Sequence, residues 1–249
     1  MPVMLMVLAA AYGAAAGLLL PRPVHRLSVP PEEAWRTTCP GGHPITGPAY
    51  GWLGPARCRA CGPRASGPYG PAALGTAALT AVVCGVLAGA TGPRPELAAW
   101  LLMAPVAVLL GAVDRRVHRL PDALTLPLAA GAALLLGVLS ALPGAAGSWG
   151  GALLGGLALG GFYGVLYVIN PAGMGLGDVK LALGLGVALG WYGWTVVLAG
   201  GFLGLLLGAV YGAGLLLTGR GGRKSAVPYG PFMIIGAGCG VLLGGATVG

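Results

Sequence analysis

The sequence predicts an all-α protein, a polytopic membrane bundle of about eight transmembrane helices with a Pro/Gly-rich loop after the first. Three observations predict it. Hydrophobic residues make up 56% of the 249 positions and charged residues only 8%, whereas soluble domains carry about 25% charged residues. Mean hydropathy is +0.84. Apolar residues gather in runs near 3–20, 72–90, 97–113, 123–142, 149–169, 179–198, 200–217 and 231–248, most of them close to the roughly 20 residues that cross a bilayer. Gly occurs 49 times without a triplet period, which excludes collagen. Inside apolar runs it lets helices in lipid approach closely.

The first run, residues 3–20, lacks the basic leading segment of a signal peptide and is followed by Arg22, His25 and Arg26. Residues 1–20 are therefore expected to be a retained first helix. Residues 21–71 form a polar loop, rich in Pro and Gly from Pro40 to Pro71, with too few apolar residues to build a core unaided. Residues 72–249 hold the remaining spans. The stretch Leu181 to Leu217 has no charge and is too long for one span, so it is expected to fold as two helices with a turn between Trp191 and Gly201.

Basic residues orient the bundle, because cytoplasmic loops are enriched in Lys and Arg near membrane ends. Arg22, Arg26, Arg36, Arg57, Arg59 and Arg64 lie in the first loop, Arg115, Arg116 and Arg119 in another, and Arg220, Arg223 and Lys224 before the last run. Eight spans put all three loops on the cytoplasmic side, leaving Arg94 alone opposite and both termini facing away from the cytoplasm. The net charge of +8 is explained by this orientation, with no need for a nucleic-acid partner.

Asp114 and Asp178 are two of six acidic residues, and each ends an apolar run at the cytoplasmic side. A carboxylate beside hydrocarbon loses hydration at a cost, so an intramembrane acid points to proton, ion or bond chemistry. They stand 64 positions apart, on separate spans that can meet in the fold. Two close carboxylates do not both ionise easily: one keeps a proton and polarises a carbonyl while the other activates water, which is what an aspartyl hydrolase requires. Gly175 and Gly177, around Asp178, let an irregular backbone approach a substrate. The simpler alternative pairs Asp114 with Arg115 or Arg116, and Asp178 with Lys180. Asp122, after Pro121, is expected to cap a helix N-terminus, and His118 to be an interfacial residue of an arginine-rich loop.

Asp114 to Pro121-Asp122, the run Gly175-Leu176-Gly177-Asp178-Val179-Lys180, and Val227-Pro228-Tyr229-Gly230-Pro231-Phe232 resemble, in that order, the three hallmark stretches of the type IV prepilin peptidases, GxGD-type membrane aspartyl peptidases. The resemblance spans residues 39 to about 240. It implies an endopeptidase of the inner (plasma) membrane that removes the basic leader of prepilins or pseudopilins at the cytoplasmic face, just after a glycine. The catalytic pair falls on Asp114 and Asp178, and Lys180 occupies a position often filled by lysine in that family, with helix-end anchoring as its alternative role. A prepilin is a basic leader followed by an apolar helix, so it can lie in the lipid bilayer and present its scissile bond at the depth of the aspartates.

Cys39, Cys58 and Cys61 lie in the first loop, Cys84 and Cys239 inside spans. Cytoplasmic thiols stay reduced, which argues against a disulfide framework. Cys58-Arg59-Ala60-Cys61 has the spacing of a zinc knuckle, and members of the family carry two such pairs in this loop. Here the first is broken: Cys39-Pro40-Gly41-Gly42-His43 has glycine where the second cysteine would stand. Two readings stay open, a structural zinc held by Cys39, His43, Cys58 and Cys61, or a site that has lost its metal. The resemblance also implies N-methylation of the new N-terminus with S-adenosylmethionine, associated with the first cytoplasmic region. Ala14 to Val29 departs from the Gly-Ser-Phe-Leu-Asn stretch common there, so methylation is only a secondary expectation. From another functional class, a small transporter coupling protons or cations through the two aspartates is the runner-up, although no internal repeat of the kind common in transporters is visible. A non-catalytic membrane scaffold is the third reading.

Overall fold

The computed structural model describes residues 2–30, 32–61, 68–171, 173–219 and 228–248. Arg64, Arg220, Arg223, Lys224 and Val227, used above for topology and motif, lie outside the described residues. The elements are helices α1 (Pro2–Leu19), α2 (Pro21–Leu27), α3 (Pro48–Gly51), α4 (Ala73–Thr91), α5 (Leu97–Val117), α6 (Asp122–Leu139), α7 (Trp149–Ile169), α8 (Leu176–Gly190), α9 (Trp194–Leu217) and α10 (Gly230–Thr247). Among the described residues the only β pairing is an isolated bridge between Thr38 and Pro44. The protein is thus an all-helical, multi-pass membrane bundle.

Among the described residues seven helices are long and apolar enough to cross a membrane: α1, α4, α5, α6, α7, α9 and α10. The remaining long helix, α8, has 15 residues, a rise of about 22 Å against roughly 30 Å of hydrocarbon. It is the most enclosed: Leu181 and Ala182 and every residue from Gly184 to Gly190 are buried. A short helix surrounded by longer ones need not reach both membrane faces itself. The expected run 179–198 is corrected at both ends, since α8 starts at Leu176, ahead of Asp178, and stops at Gly190. The turn at Trp191–Gly193 closes with Gly193 at φ 103°, a conformation that suits glycine.

Glycines do pack the bundle, and the structure shows where. A Cβ on Gly13 of α1 would lie 2.5 Å from the Thr80 carbonyl of α4, and one on Gly186 of α8 would lie 2.4 Å from the Gly155 carbonyl of α7. On α10, a Cβ on Gly236 would lie 2.5 Å from the Gly200 carbonyl of α9. Backbones this close gain dispersion contacts that a side chain would forbid.

The loop after α1 is not independent of the membrane helices. Short α2 buries Val24 and Leu27 against Leu109 and Val113 of α5, so the loop borrows a core that its own composition does not supply. Arginines then hold it in place by donating to backbone carbonyls. Arg22 reaches Thr46 (2.8 Å), Leu53 (3.2 Å) and Pro55 (3.0 Å), Arg36 reaches His25 (3.2 Å), and Arg119 reaches Pro30 (2.9 Å). Arg26 donates to Tyr50 and lies 4.1 Å from the Trp52 ring centroid. The basic residues that the sequence assigns to orientation therefore also organise the loop.

Candidate active site

Up-and-down connectivity from α4 onward brings the C-terminus of α5 and the N-termini of α8 and α10 to one end of the bundle, the end that carries the cysteine loop. Asp114 sits in the last turn of α5. That helix stops because His118 takes a left-handed conformation (φ 50°) and donates its N–H to the Asp114 carbonyl at 2.8 Å; Pro121 then bars its continuation. Asp114 is 3% exposed, beside fully buried Leu110 and Val113. Its Oδ2 accepts the Gly230 N–H of α10 at 3.0 Å.

Asp178 is the third residue of α8, and its Oδ2 accepts the Gly175 N–H at 3.0 Å. A carboxylate reaching back to the residue before a helix satisfies one of the amides left free there, and its charge suits the positive helix end. Asp178 is 9% exposed. The two sites approach each other through Leu120, which lies against Gly177 on one side and near Gly230 on the other.

Neither aspartate pairs with a base among the described residues, contrary to the simpler alternative. Lys180 instead lies 2.6 Å from Asp122. The expected capping role of Asp122 is corrected: Pro121 is the N-cap residue of α6 and Asp122 is in the first turn, where it favours the helix by its charge rather than by a side-chain cap.

Three contributors have no role assigned from the sequence: Gly230 and Tyr229, which lie in the third hallmark stretch, and Tyr163. Gly230 donates to Asp114. Tyr163 of α7, 1% exposed, stacks edge-on with Phe162 and with Tyr229, at centroid distances of 5.6 Å and 6.3 Å. A tyrosine in the middle of a glycine-rich apolar run was the available signal for Tyr163, because a buried phenol wants a polar neighbour.

The cysteine loop places Cys39, His43, Cys58 and Cys61 together, with their ligand atoms all within 4.8 Å of one another. This group can hold a metal. Gly42, at φ 79°, turns the chain so that its N–H donates to the Cys39 carbonyl at 2.9 Å, and the Cys39 N–H donates to the His43 carbonyl at 2.9 Å. The turn sends His43 Nδ1 back to 3.7 Å from Cys39 Sγ and 3.3 Å from Cys61 Sγ. Burial pushes the Cys39 thiol up, but hydrogen bonds from the His43 side chain and backbone, and from Cys61 and Cys58, outweigh it and bring it down to about 6. Cys61 is pushed up to about 12 by its hydrogen bonds with Cys58 and Cys39 and by burial. Beside it, His25, Arg36, Thr38, Cys39, Pro40 and Tyr69 line a cavity of about 510 Å³.

Residues 101–217 match the profile of the type IV leader peptidase family. A protein of Aeromonas salmonicida (strain A449) named prepilin leader peptidase/N-methyltransferase is 37% identical over 220 residues, covering 86% of this chain and 72% of the relative. One of the same name from Aeromonas hydrophila is 37% identical over 233 residues, covering 91% and 76%. Another, from Bacillus subtilis (strain 168), is 32% identical over 184 residues, covering 73% and 68%. No solved structure matches.

Proposed function

The chain belongs to the type IV leader peptidase family, and on that premise we propose that Asp114 and Asp178 are the catalytic pair with which it cleaves the leader from prepilins or pseudopilins. Family and relatives support prepilin cleavage and leave the transport alternative without support. The reading is carried by one observation: two buried carboxylates at the same end of the bundle, each anchored by a backbone N–H and neither paired with a cation among the described residues.

The chemistry follows from that arrangement. One carboxylate is ionised and takes a proton from water as the oxygen attacks the scissile carbonyl; the other is protonated and donates to the carbonyl oxygen. The tetrahedral intermediate collapses as the carboxyl that took the water proton passes it to the leaving nitrogen, the C–N bond breaks, and the other carboxylate takes its proton back from the former carbonyl oxygen. Gly230 and Gly175 hold the two carboxylates in position through the reaction. Their N–H groups also stabilise whichever oxygen bears charge. The leader stays at the aqueous edge while the apolar pilin helix remains in lipid. The inner membrane is the expected location, with the site facing the cytoplasm as the arginine-rich loops indicate.

The metal group fits zinc. Tetrahedral Zn–S bonds of about 2.3 Å and Zn–N bonds of about 2.05 Å put ligand atoms roughly 3.6–3.8 Å apart; Cys39 Sγ stands 3.6 Å from Cys61 Sγ and 3.7 Å from His43 Nδ1, while Cys61 Sγ and His43 Nδ1 are closer, at 3.3 Å. Zinc there would supply shape to the loop rather than chemistry, because four protein ligands leave no position for water. The neighbouring cavity is within the roughly 300–1,000 Å³ of small-molecule sites. It offers room for S-adenosylmethionine if the second activity named for the relatives is present.

Co-expression with a leader-bearing prepilin tests the reading, by gel shift and N-terminal mass, with wild type beside Asp114→Asn and Asp178→Asn. A shortened product from wild type alone supports the dyad. Cleavage at wild-type level by both variants removes it, and an added methyl mass reveals the second activity.

A further inference from the structure

One hydrophobic side chain stands between Gly177, next to Asp178, and Gly230, which holds Asp114. The connection His118–Pro121 leaves α5 one turn after Asp114 and enters α6. Within it Leu120 is 5% exposed and belongs to the main core. On one side it meets Gly177, the residue directly before Asp178. A Cβ added at Gly177 would lie 2.9 Å from Leu120 Cβ and 3.2 Å from its carbonyl oxygen, so backbone and side chain are in contact with no space between. On the other side Leu120 Cδ2 lies 3.4 Å from where a Cβ on Gly230 would stand, and that same point is 2.9 Å from Asp114 Oδ2. Gly230 is the residue whose N–H holds Asp114.

The connection is itself fixed at three further points. The His118 N–H is bonded to Asp114's own carbonyl at 2.8 Å, Arg119 to the Pro30 carbonyl at 2.9 Å, and Asp122, two residues beyond Leu120, to Lys180 at 2.6 Å. A segment pinned on both flanks cannot readily slide, so its buried leucine acts as a spacer between α8 and α10.

We propose that Leu120 is a positioning residue, a wedge between Gly177 and Gly230 that sets the separation of Asp114 and Asp178. It carries no ionisable group and supplies no proton. Its effect passes through the backbones that carry or hold the aspartates. The proposal rests on the dyad reading. Because close-packed interiors leave few voids, removing the wedge lets Gly177 and Gly230 move toward the space. Misplacing reacting groups by about 1 Å can cost about 10²-fold in rate.

The test measures kcat and KM on a leader-bearing prepilin, with purified full-length protein in detergent, for Leu120→Ala, Leu120→Val and Leu120→Met. Leu189→Ala is the control: Leu189 is fully buried at the far end of α8 and away from the aspartates. The expected result is a fall in kcat of about 10- to 100-fold for Leu120→Ala with KM within about twofold, a smaller fall for Leu120→Val, and recovery of most activity in Leu120→Met, whose volume is close to that of leucine. Leu189→Ala should lower the melting temperature without this split. Equal kcat for Leu120→Ala and wild type would overturn the proposal, as would a loss matched by Leu189→Ala at the same folded fraction. If Leu120→Ala does not fold, Leu120→Val decides: unchanged kcat overturns the wedge, and a lowered kcat at constant KM supports it. Asp114→Asn and Asp178→Asn run in the same assay. Their retaining cleavage would mark failure of the dyad itself, whereas their inactivity beside an unaffected Leu120→Ala would mark failure of the wedge alone.

Discussion

The Lys180 ammonium lies 2.6 Å from the Asp122 carboxylate, across the gap between α8 and α6, and so does not pair with Asp178, its neighbour two residues earlier. Had Lys180 turned to Asp178, that carboxylate would be held ionised by an adjacent charge. Pairing across helices instead anchors the start of α8 and keeps Asp178 available to carry or take a proton.

This pair is partly solvated, with Lys180 27% and Asp122 59% exposed, and exposed pairs contribute about 0–1 kcal/mol. Lys180→Met and Asp122→Asn, singly and together, are therefore expected to change stability little, with a coupling energy below about 1 kcal/mol in a double-mutant cycle. Cleavage should stay within a few-fold of wild type. A loss as deep as that caused by replacing an aspartate would move Lys180 from anchoring into the reaction.

Asp114→Asn and Asp178→Asn keep side-chain size and the backbone-facing oxygen that accepts from Gly230 or Gly175, while removing the ability to exchange a proton. Each is expected to lower cleavage by about 10²-fold or more with little change in membrane insertion or melting. Quantitative immunoblotting of membrane fractions beside the cleavage assay separates the two effects. The double variant should be no worse than the weaker single one, because groups acting as a unit are not additive.

The sequence made the spans and the two aspartates legible for different reasons. Long apolar runs have one solution in a bilayer, helices, and a carboxylate among them has no cheap structural use. What it left out depends on packing between segments distant in the chain. The Gly230 N–H to Asp114 bond joins residues 116 positions apart, and no local pattern encodes it. Asp122 sat where a cap belongs, yet the choice between capping and pairing with Lys180 is made by α8 lying beside α6. The α8 boundary was misplaced for a related reason: Leu181 to Leu217 carries no charge, so hydropathy brackets the turn between Trp191 and Gly201 without fixing it at Trp191–Gly193, where Gly193 takes φ 103°.

Gly230→Ala probes the hydrogen bond at Asp114 without touching an ionisable group. A Cβ there would stand 2.9 Å from Asp114 Oδ2 and 3.2 Å from its Cγ, forcing the carboxylate or the start of α10 to shift. The expected outcome is a fall in kcat of roughly 10-fold or more with the protein still folded. Gly212→Ala in α9 is the matched control, since a Cβ there meets nothing within 4 Å. It should be neutral or slightly stabilising, by up to about 1 kcal/mol, through helix propensity. Equal activities for the two variants would remove the role given to the Gly230 contact.

Metal in the loop separates structure from catalysis most directly. Cys39, His43, Cys58 and Cys61 converge on one point, so protein prepared without chelator is expected to contain about one zinc per chain, and Cys58→Ser to contain much less. His43→Cys restores a four-thiolate set and should retain the metal. Protons compete with zinc for thiolates and imidazole, so the metal is held at neutral pH and released as pH falls. Loss of zinc should loosen residues 21–71, seen as faster limited proteolysis there, while cleavage persists at a reduced level because Asp114 and Asp178 are anchored from α10 and from Gly175. Metal-free protein with unchanged proteolysis and full stability would show that the arginine-to-carbonyl bonds of Arg22 and Arg36 suffice to hold the loop. Abolished cleavage on chelation, restored by zinc, would instead tie the loop to the dyad, through the Arg119 to Pro30 bond that links them.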